Sequence, residues 1–299
     1  MTQSSHVTRP LDPIAAAIVV VLCLSWGVNQ VAVKLAIHDI PPLIQSTSRS
    51  IVATLVIVGW CRLRGIALLK RDGSLIPGLA AGFCFGIEFI CIFQGLAYTT
   101  ATRAVLFIYL APFFVVLGAR IFLPADRFGL AQWLGLAFSF AGMAVAFGLP
   151  TPALDPRQAI GDLMMVGGAL FWAATTLTIK ASALNRVPAE KTMLYQLVVS
   201  IPMLALAAFL FDQHLTAMPS ALALGALAYQ TLWVVCVTFV VWFAIMAKYS
   251  ASRLAVFTFL TPLFGVAAGH LILGEPLTPA FAAAVALVGA GLVLVNRAR

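Results

Sequence analysis

The chain has 299 residues, of which 62% are hydrophobic and only 9% charged, with a mean hydropathy of +1.04. A soluble domain carries about a quarter of its residues as charged side chains, so that class is excluded. The formal charge of +8 does not point to nucleic acid, because in so apolar a chain the placement of Lys and Arg reports topology rather than a basic binding surface.

Apolar runs long enough to cross a hydrocarbon core of ~30 Å recur ten times, at 14 to 36, 43 to 61, 75 to 97, 102 to 123, 128 to 148, 160 to 181, 191 to 211, 219 to 244, 251 to 273 and 278 to 296. In lipid such runs must satisfy their own backbone groups, which predicts an all-α polytopic membrane protein. With the N-terminus in the cytoplasm, 14 of the 18 Lys and Arg fall inside, leaving Lys34, Arg49, Arg103 and Arg157 outside. Both termini are therefore predicted to be cytoplasmic. Met1 to Pro13 carries only Arg9 and no small-residue cleavage site, so the first run is expected to stay as a helix. The five cysteines are scattered through apolar runs without ligand spacing, and no metal or cofactor is expected.

In the first run Trp26, Asn29 and Gln30 share one face, suited either to interhelical hydrogen bonds or to a cavity wall. Arg49, in the second, is expected to snorkel outward or to pair with Asp39 rather than to meet a substrate carboxylate. The most basic loop, Arg62 to Asp72, follows. The third run carries a ridge of Gly78, Gly82 and Gly86 that lets two helix backbones approach closely. Glu88 lies on another face. A carboxylate at the bilayer centre costs ~2.5 to 3.5 kcal/mol, so Glu88 should face water, a cation or a proton, or pair with Arg103 or Lys34. Pro112 falls mid-run in the fourth and predicts a kink that can act as a hinge. The fifth, with Gly135 and Gly142, reads as scaffold.

Pro150, Pro152 and Pro156 mark a seam that divides the chain into residues 1–150 and 151–299. Beyond it come Trp172, Thr176 and Lys180 in the sixth run, Gln196 in the seventh, Gln230 and Trp233 in the eighth, and Pro262 and His270 in the ninth. The tenth matches the fifth. Tyr98 to Pro112 returns as Lys248 to Pro262, with Arg103 and Arg253, and Pro112 and Pro262, each 150 residues apart. Trp26 stands eight residues before Lys34, as Trp172 does before Lys180. Five spans per half is an odd number, so matched helices cross in opposite directions. Such inverted repeats build transporters that work by alternating access, with the substrate near the midplane. Arg103 is then expected near the outer face and Arg253 near the inner one.

The Trp-to-Lys first helix of each half, the Arg-to-Leu-x-Pro fourth helix, and Gly274-Glu275-Pro276 after the ninth together resemble the EamA-type branch of the drug/metabolite transporter superfamily. Within it the chain is most similar to the YddG-type amino-acid exporters of the bacterial inner membrane. Pro124-Ala125-Asp126, the counterpart of Gly-Glu-Pro, departs from the pattern. The resemblance implies that helices one to four and six to nine surround a cavity braced by five and ten, and that the protein is a secondary transporter exporting aromatic and other apolar amino acids. Candidate cavity residues are Trp26, Asn29, Phe85, Glu88, Gln94, Tyr109, Trp172, Thr176, Gln230, Trp233 and Phe257, a mixture that suits a zwitterion with an apolar side chain. Pro112 and Pro262 are candidate hinges, and Glu88 and His270 candidate proton carriers. The expected partners are a small-molecule substrate and lipid, with no nucleic acid and a monomeric state. No HExxH, no GxSxG and no paired intramembrane carboxylates argue for an enzyme. The alternatives are a carrier for another metabolite or a cationic drug, and a passive channel.

Overall fold

The computed structural model describes residues 11–123, 126, 128–148, 155–274 and 276–297. The protein is all-α, and ten of its helices are long and apolar enough to cross a membrane. They are α1 (Pro13–Ala36), α2 (Pro42–Leu63), α3 (Leu75–Leu96), α4 (Ala101–Ile108 continued by Ala111–Phe122), α5 (Leu130–Phe147), α6 (Pro156–Ala181), α7 (Ala189–Leu210), α8 (Ala221–Lys248), α9 (Ala251–Phe257 continued by Leu260–Leu273) and α10 (Pro279–Arg297). Their starts carry side chains that accept the first free amides: Asp12, Thr100, Asp155, Ser220 and Ser250 cap α1, α4, α6, α8 and α9. Gly274 ends α9 at a φ of +70°, a left-handed conformation that a side chain would strain. Leu55, Phe209 and Leu271 stand exposed on the outside of the bundle, the surface that lipid covers.

Close backbone approach sets the packing. A Cβ at Gly78, Gly82 or Gly86 would strike Tyr195, Val199 or Met203 of α7, so the glycine ridge of α3 is the seat of α7, which runs parallel to it. The opposite side of α3 lies on α6, where a Cβ at Gly95 would meet Met164, Met165 and the Gly161 carbonyl. At the edge, α5 and α10 run antiparallel, with Gly135 against Leu294, Val295 and Gly291, and Gly142 against Ala284 and Val288. Packing is preserved in kind when each helix is exchanged for the one five places later: α1 rests on α9 as α6 rests on α4, and α3 touches α6 and α7 as α8 touches α1 and α2.

Three features differ from the sequence expectations. Helices α4 and α9 do not kink at their prolines; each is interrupted just before, at Tyr109 and Leu110 ahead of Pro112 and at Thr258 and Phe259 ahead of Pro262. The fixed φ and absent amide of Pro112 and Pro262 suit the first turn of a new helix, so each break lets its proline start the second segment. The middle of α8, Tyr229–Phe239, is wound as a π-helix. Arg49 neither snorkels nor pairs with Asp39: it is buried, while Asp39 accepts the Ser220 amide at 2.8 Å and so holds the start of α8. The seam prolines Pro150 and Pro152, together with Pro124, Ala125 and Glu275, lie outside the described residues.

An even number of spans puts both chain ends on one side, here called the termini face. On it the basic loop after α2 is tied to α7, because Lys191 Nζ donates to Asp72 at 2.8 Å and to the Lys70 carbonyl at 2.9 Å. Lys191 and then Ser74 hold the Asp72 carboxyl down at about 2, so it stays charged at every physiological pH.

Candidate functional site

The two helix breaks meet at the centre of the bundle, and aromatic rings fill the space around them. Tyr109, at the break in α4, lies edge-on to Trp172 of α6 with ring centroids 6.1 Å apart, and tilts against Phe259, at the break in α9, at 5.8 Å. Beside them Trp26 of α1 meets Trp242 of α8 at 5.2 Å and donates its ring N–H to Thr238 Oγ1 at 2.8 Å. Phe85 and Phe257 are buried in the same core. Between Pro112, Trp172, Thr176, Trp242 and Thr258 a cavity of only about 10 Å³ remains, room for a single water. An organic substrate needs a few hundred Å³, so this cavity can admit one only when the helices part.

Glu88 is buried on α3, with no ion pair or hydrogen bond among the described residues. The expected pairing with Arg103 does not occur, since Arg103 belongs to Asp162. Glu88, Cys91 and Gly95 form one helical stripe, and Cys91 and Gly95 pack on α6 at Gly168 and Gly161. This antiparallel register sets Glu88 level with residues 168–172, on the side of α3 that faces the aromatic junction. A carboxylate in lipid is costly, and Glu88 stands level with Trp172, one of the residues that line the central cavity, without lining it itself.

Of the candidates, Pro112, Trp172 and Thr176 line the central cavity, Tyr109 and Trp26 reach it through ring contacts with Trp172 and Trp242, Phe85 and Phe257 are buried in the same core, and both prolines lie in the second segments of the broken helices. Other candidates lie elsewhere. Gln94 accepts from Gln213 at 3.4 Å, and Gln213 in turn accepts the Leu43 amide at 2.9 Å, so Gln94 belongs to the end of the bundle away from the termini. Trp233 is 43% exposed, and donates to Ser25 Oγ at 3.0 Å. His270 stands exposed in the last turn of α9. Gln230 is fully buried and donates to Gln45 of α2 at 3.1 Å, and the Asn29 carbonyl oxygen is buried without a partner.

Matched closures that the sequence reading missed sit at the two ends. On the face away from the termini, Arg103 Nε bonds both Asp162 oxygens, at 3.0 and 3.1 Å, Nη2 adds a further ion pair, and Thr99 Oγ1 donates to the same carboxylate at 2.6 Å. On the termini face the Tyr249 hydroxyl donates to Asp12, holding that carboxyl below the usual range with help from the Ala15 amide. Asp12 and Asp162 are 150 residues apart, as are Thr99 and Tyr249. Each closure thus ties the start of the broken helix of one half to the first helix of the other. That interval is the signal that could have revealed them. Asp126, from the drifted counterpart of Gly-Glu-Pro, accepts from the Ser250 hydroxyl and from the Ser252 amide at 3.1 Å, fastening the α4–α5 connection to the start of α9.

Residues 13–148 and 159–297 both match the profile of the EamA-like transporter family. The chain is 26% identical to the "Uncharacterized transporter YvbV" of Bacillus subtilis, over 94% of its own length and 91% of that protein's. It is 24% identical to a "Probable amino-acid metabolite efflux pump" of Salmonella typhimurium, over 95% and 94% of the two lengths. A solved crystal structure superposes over 94% of this chain and 96% of its own with a TM-score of 0.79 at 21% identity, a likeness of fold.

Proposed function

The chain belongs to the EamA-like transporter family, and from that premise we propose that it exports aromatic and other apolar amino acids across the bacterial inner membrane by alternating access. The observation that carries this reading is the pair of contacts made at Asp162 and Asp12, 150 residues apart, with Thr99 and Arg103 donating to the first at one face and Tyr249 to the second at the other, around a centre with room for a single water. Opening one while the other holds admits the centre to one compartment at a time. The Lys and Arg bias supports a cytoplasmic termini face. The aromatic rings suit an apolar side chain and Glu88 an ammonium group, and relatives named amino-acid metabolite efflux pumps support the same substrate class. No chemical conversion enters the cycle, and a single chain suffices for it. Counterflow in proteoliposomes with labelled amino acids, a nucleotide sugar and a quaternary ammonium dye tests the assignment. Exchange of phenylalanine and leucine, but not of the sugar, is the expected result. A second reading, a carrier for cationic drugs, draws on the same carboxylate among aromatic rings and predicts exchange of the dye alone.

Glu88→Gln is expected to slow amino-acid exchange by about tenfold or more, the loss of one charge-assisted contact of ~1.5 to 3 kcal/mol, with folded yield unchanged. Equal rates for variant and parent from mildly acid to mildly alkaline pH would remove Glu88 from the cycle. The two prolines extend the same logic. Pro112→Ala and Pro262→Ala restore backbone donors at opposite breaks, so they should shift the accessibility of the centre toward opposite faces. Identical shifts in thiol labelling would exclude a gating role for the breaks.

A further inference from the structure

Arg49 is the one cation inside the described bundle whose burial has no visible compensation. It lies on α2, is 5% exposed, and forms no ion pair among the described residues. Its Nε has no hydrogen-bond partner. Its guanidinium stacks over the ring of Phe89 on α3, 5.2 Å from the centroid. A guanidinium does not lose its proton in a protein, so the charge cannot be discarded. Cation–π contact offsets only part of the desolvation of a buried ion. A charge carried into lipid without a counter-ion in the closed state points to an anion that arrives in another state.

Its surroundings indicate which anion. Phe89 follows Glu88 directly in α3, so the buried cation and the buried acid stand at the same height, with Phe85 and Phe89, whose centroids are 4.4 Å apart, between their faces. Gln45, one turn before Arg49 on α2, bonds Gln230 at the start of the π-wound stretch of α8, and Gln230 Oε1 is left unpartnered. Arg49 thus borders a seam of unsatisfied polar groups beside a helix whose winding departs from the stable α form. A cation, an acid and phenyl rings at one level match the carboxylate, ammonium and side chain of an α-amino acid, and the planar fork of Arg binds a carboxylate through two parallel bonds where Lys offers a point charge.

We infer that Arg49 is the subsite for the substrate's carboxylate. This rests on the amino-acid reading above, and the test separates the two. Thermal unfolding of the purified full chain is followed with phenylalanine, phenylalaninamide, 3-phenylpropionate and phenethylamine. The parent is expected to bind phenylalanine at least about tenfold more tightly than its amide. Arg49→Lys should erase that preference, leaving the unfolding temperature of the ligand-free protein and the binding of phenethylamine unchanged. A parent that binds phenylalanine and its amide equally well overturns the subsite without any variant. So does an Arg49→Lys protein that still prefers the acid, or one that weakens acid and amide alike, the mark of an internal partner for Glu88. Arg49-dependent binding of 3-phenylpropionate with no binding of phenylalanine would keep the carboxylate subsite and remove the amino-acid reading. Binding of phenethylamine alone would remove both.

Discussion

Asp162→Ala should leave the protein standing open at the face away from the termini, and less stable by about 3 kcal/mol. The side chains of Arg103 and Asp162 are 9% and 11% exposed, so removing the acid takes the carboxylate partner from a guanidinium in a nearly dry site instead of returning it to water. Thr99 loses its acceptor at the same time. Nothing else described bridges the start of α4 to α6 with comparable charge, so the strain is relieved by separating them. In a background without the five native cysteines, a thiol at Ala111, which borders the central cavity, should then react with a membrane-impermeant reagent added from that face. Arg103→Ala combined with Asp162→Ala should recover part of the lost stability, since the buried charge that lost its carboxylate is gone, while the thiol stays reactive. If labelling from that face does not rise in Asp162→Ala, the ion pair is no gate.

Gly82→Val should fail to accumulate as folded protein. A Cβ at this position falls 2.5 Å from the Tyr195 carbonyl oxygen and 2.7 Å from Val199 Cβ. The first is backbone and cannot swing aside, so α3 and α7 must move apart. Their separation forfeits contacts along the whole ridge, about 3 kcal/mol or more. Gly59→Val is the control, because nothing lies within 4 Å of a Cβ there. The comparison is made by size-exclusion profile and thermal unfolding after extraction. Equal behaviour of the two variants would show that the ridge is not the seat of α7.

The ten spans and the glycine ridge are legible in the sequence because each depends on local composition and on a period within one helix. The 150-residue interval is legible as well, through Arg103 with Arg253 and Pro112 with Pro262. What escapes is whatever depends on a distant partner. Asp162 looks like a charge near a helix start until Arg103 is seen to reach it, and Arg49 looks able to snorkel until α3 is seen to cover it. The 3.6-residue period groups Trp233 with Gln230, yet a π-wound stretch advances by a different angle per residue, so one is half-exposed and the other fully buried. Gln94 fails as a cavity residue for a simpler reason. Its partner, Gln213, lies in a connection that no helical pattern describes.

The α5–α10 seam differs in kind from the closures at either end. Gly135 and Gly291 meet there backbone to backbone, and the attraction is dispersion between matched surfaces rather than exclusion from water, since lipid tails are as apolar as the seam itself. Such a joint is indifferent to salt and to protons. The bond between Tyr249 and Asp12 lies at the water's edge, where ions and competing donors reach it. The molecule thereby joins its parts in different media: a seam in lipid that no aqueous change can loosen, and at the termini face a releasable bond placed where the solvent can act.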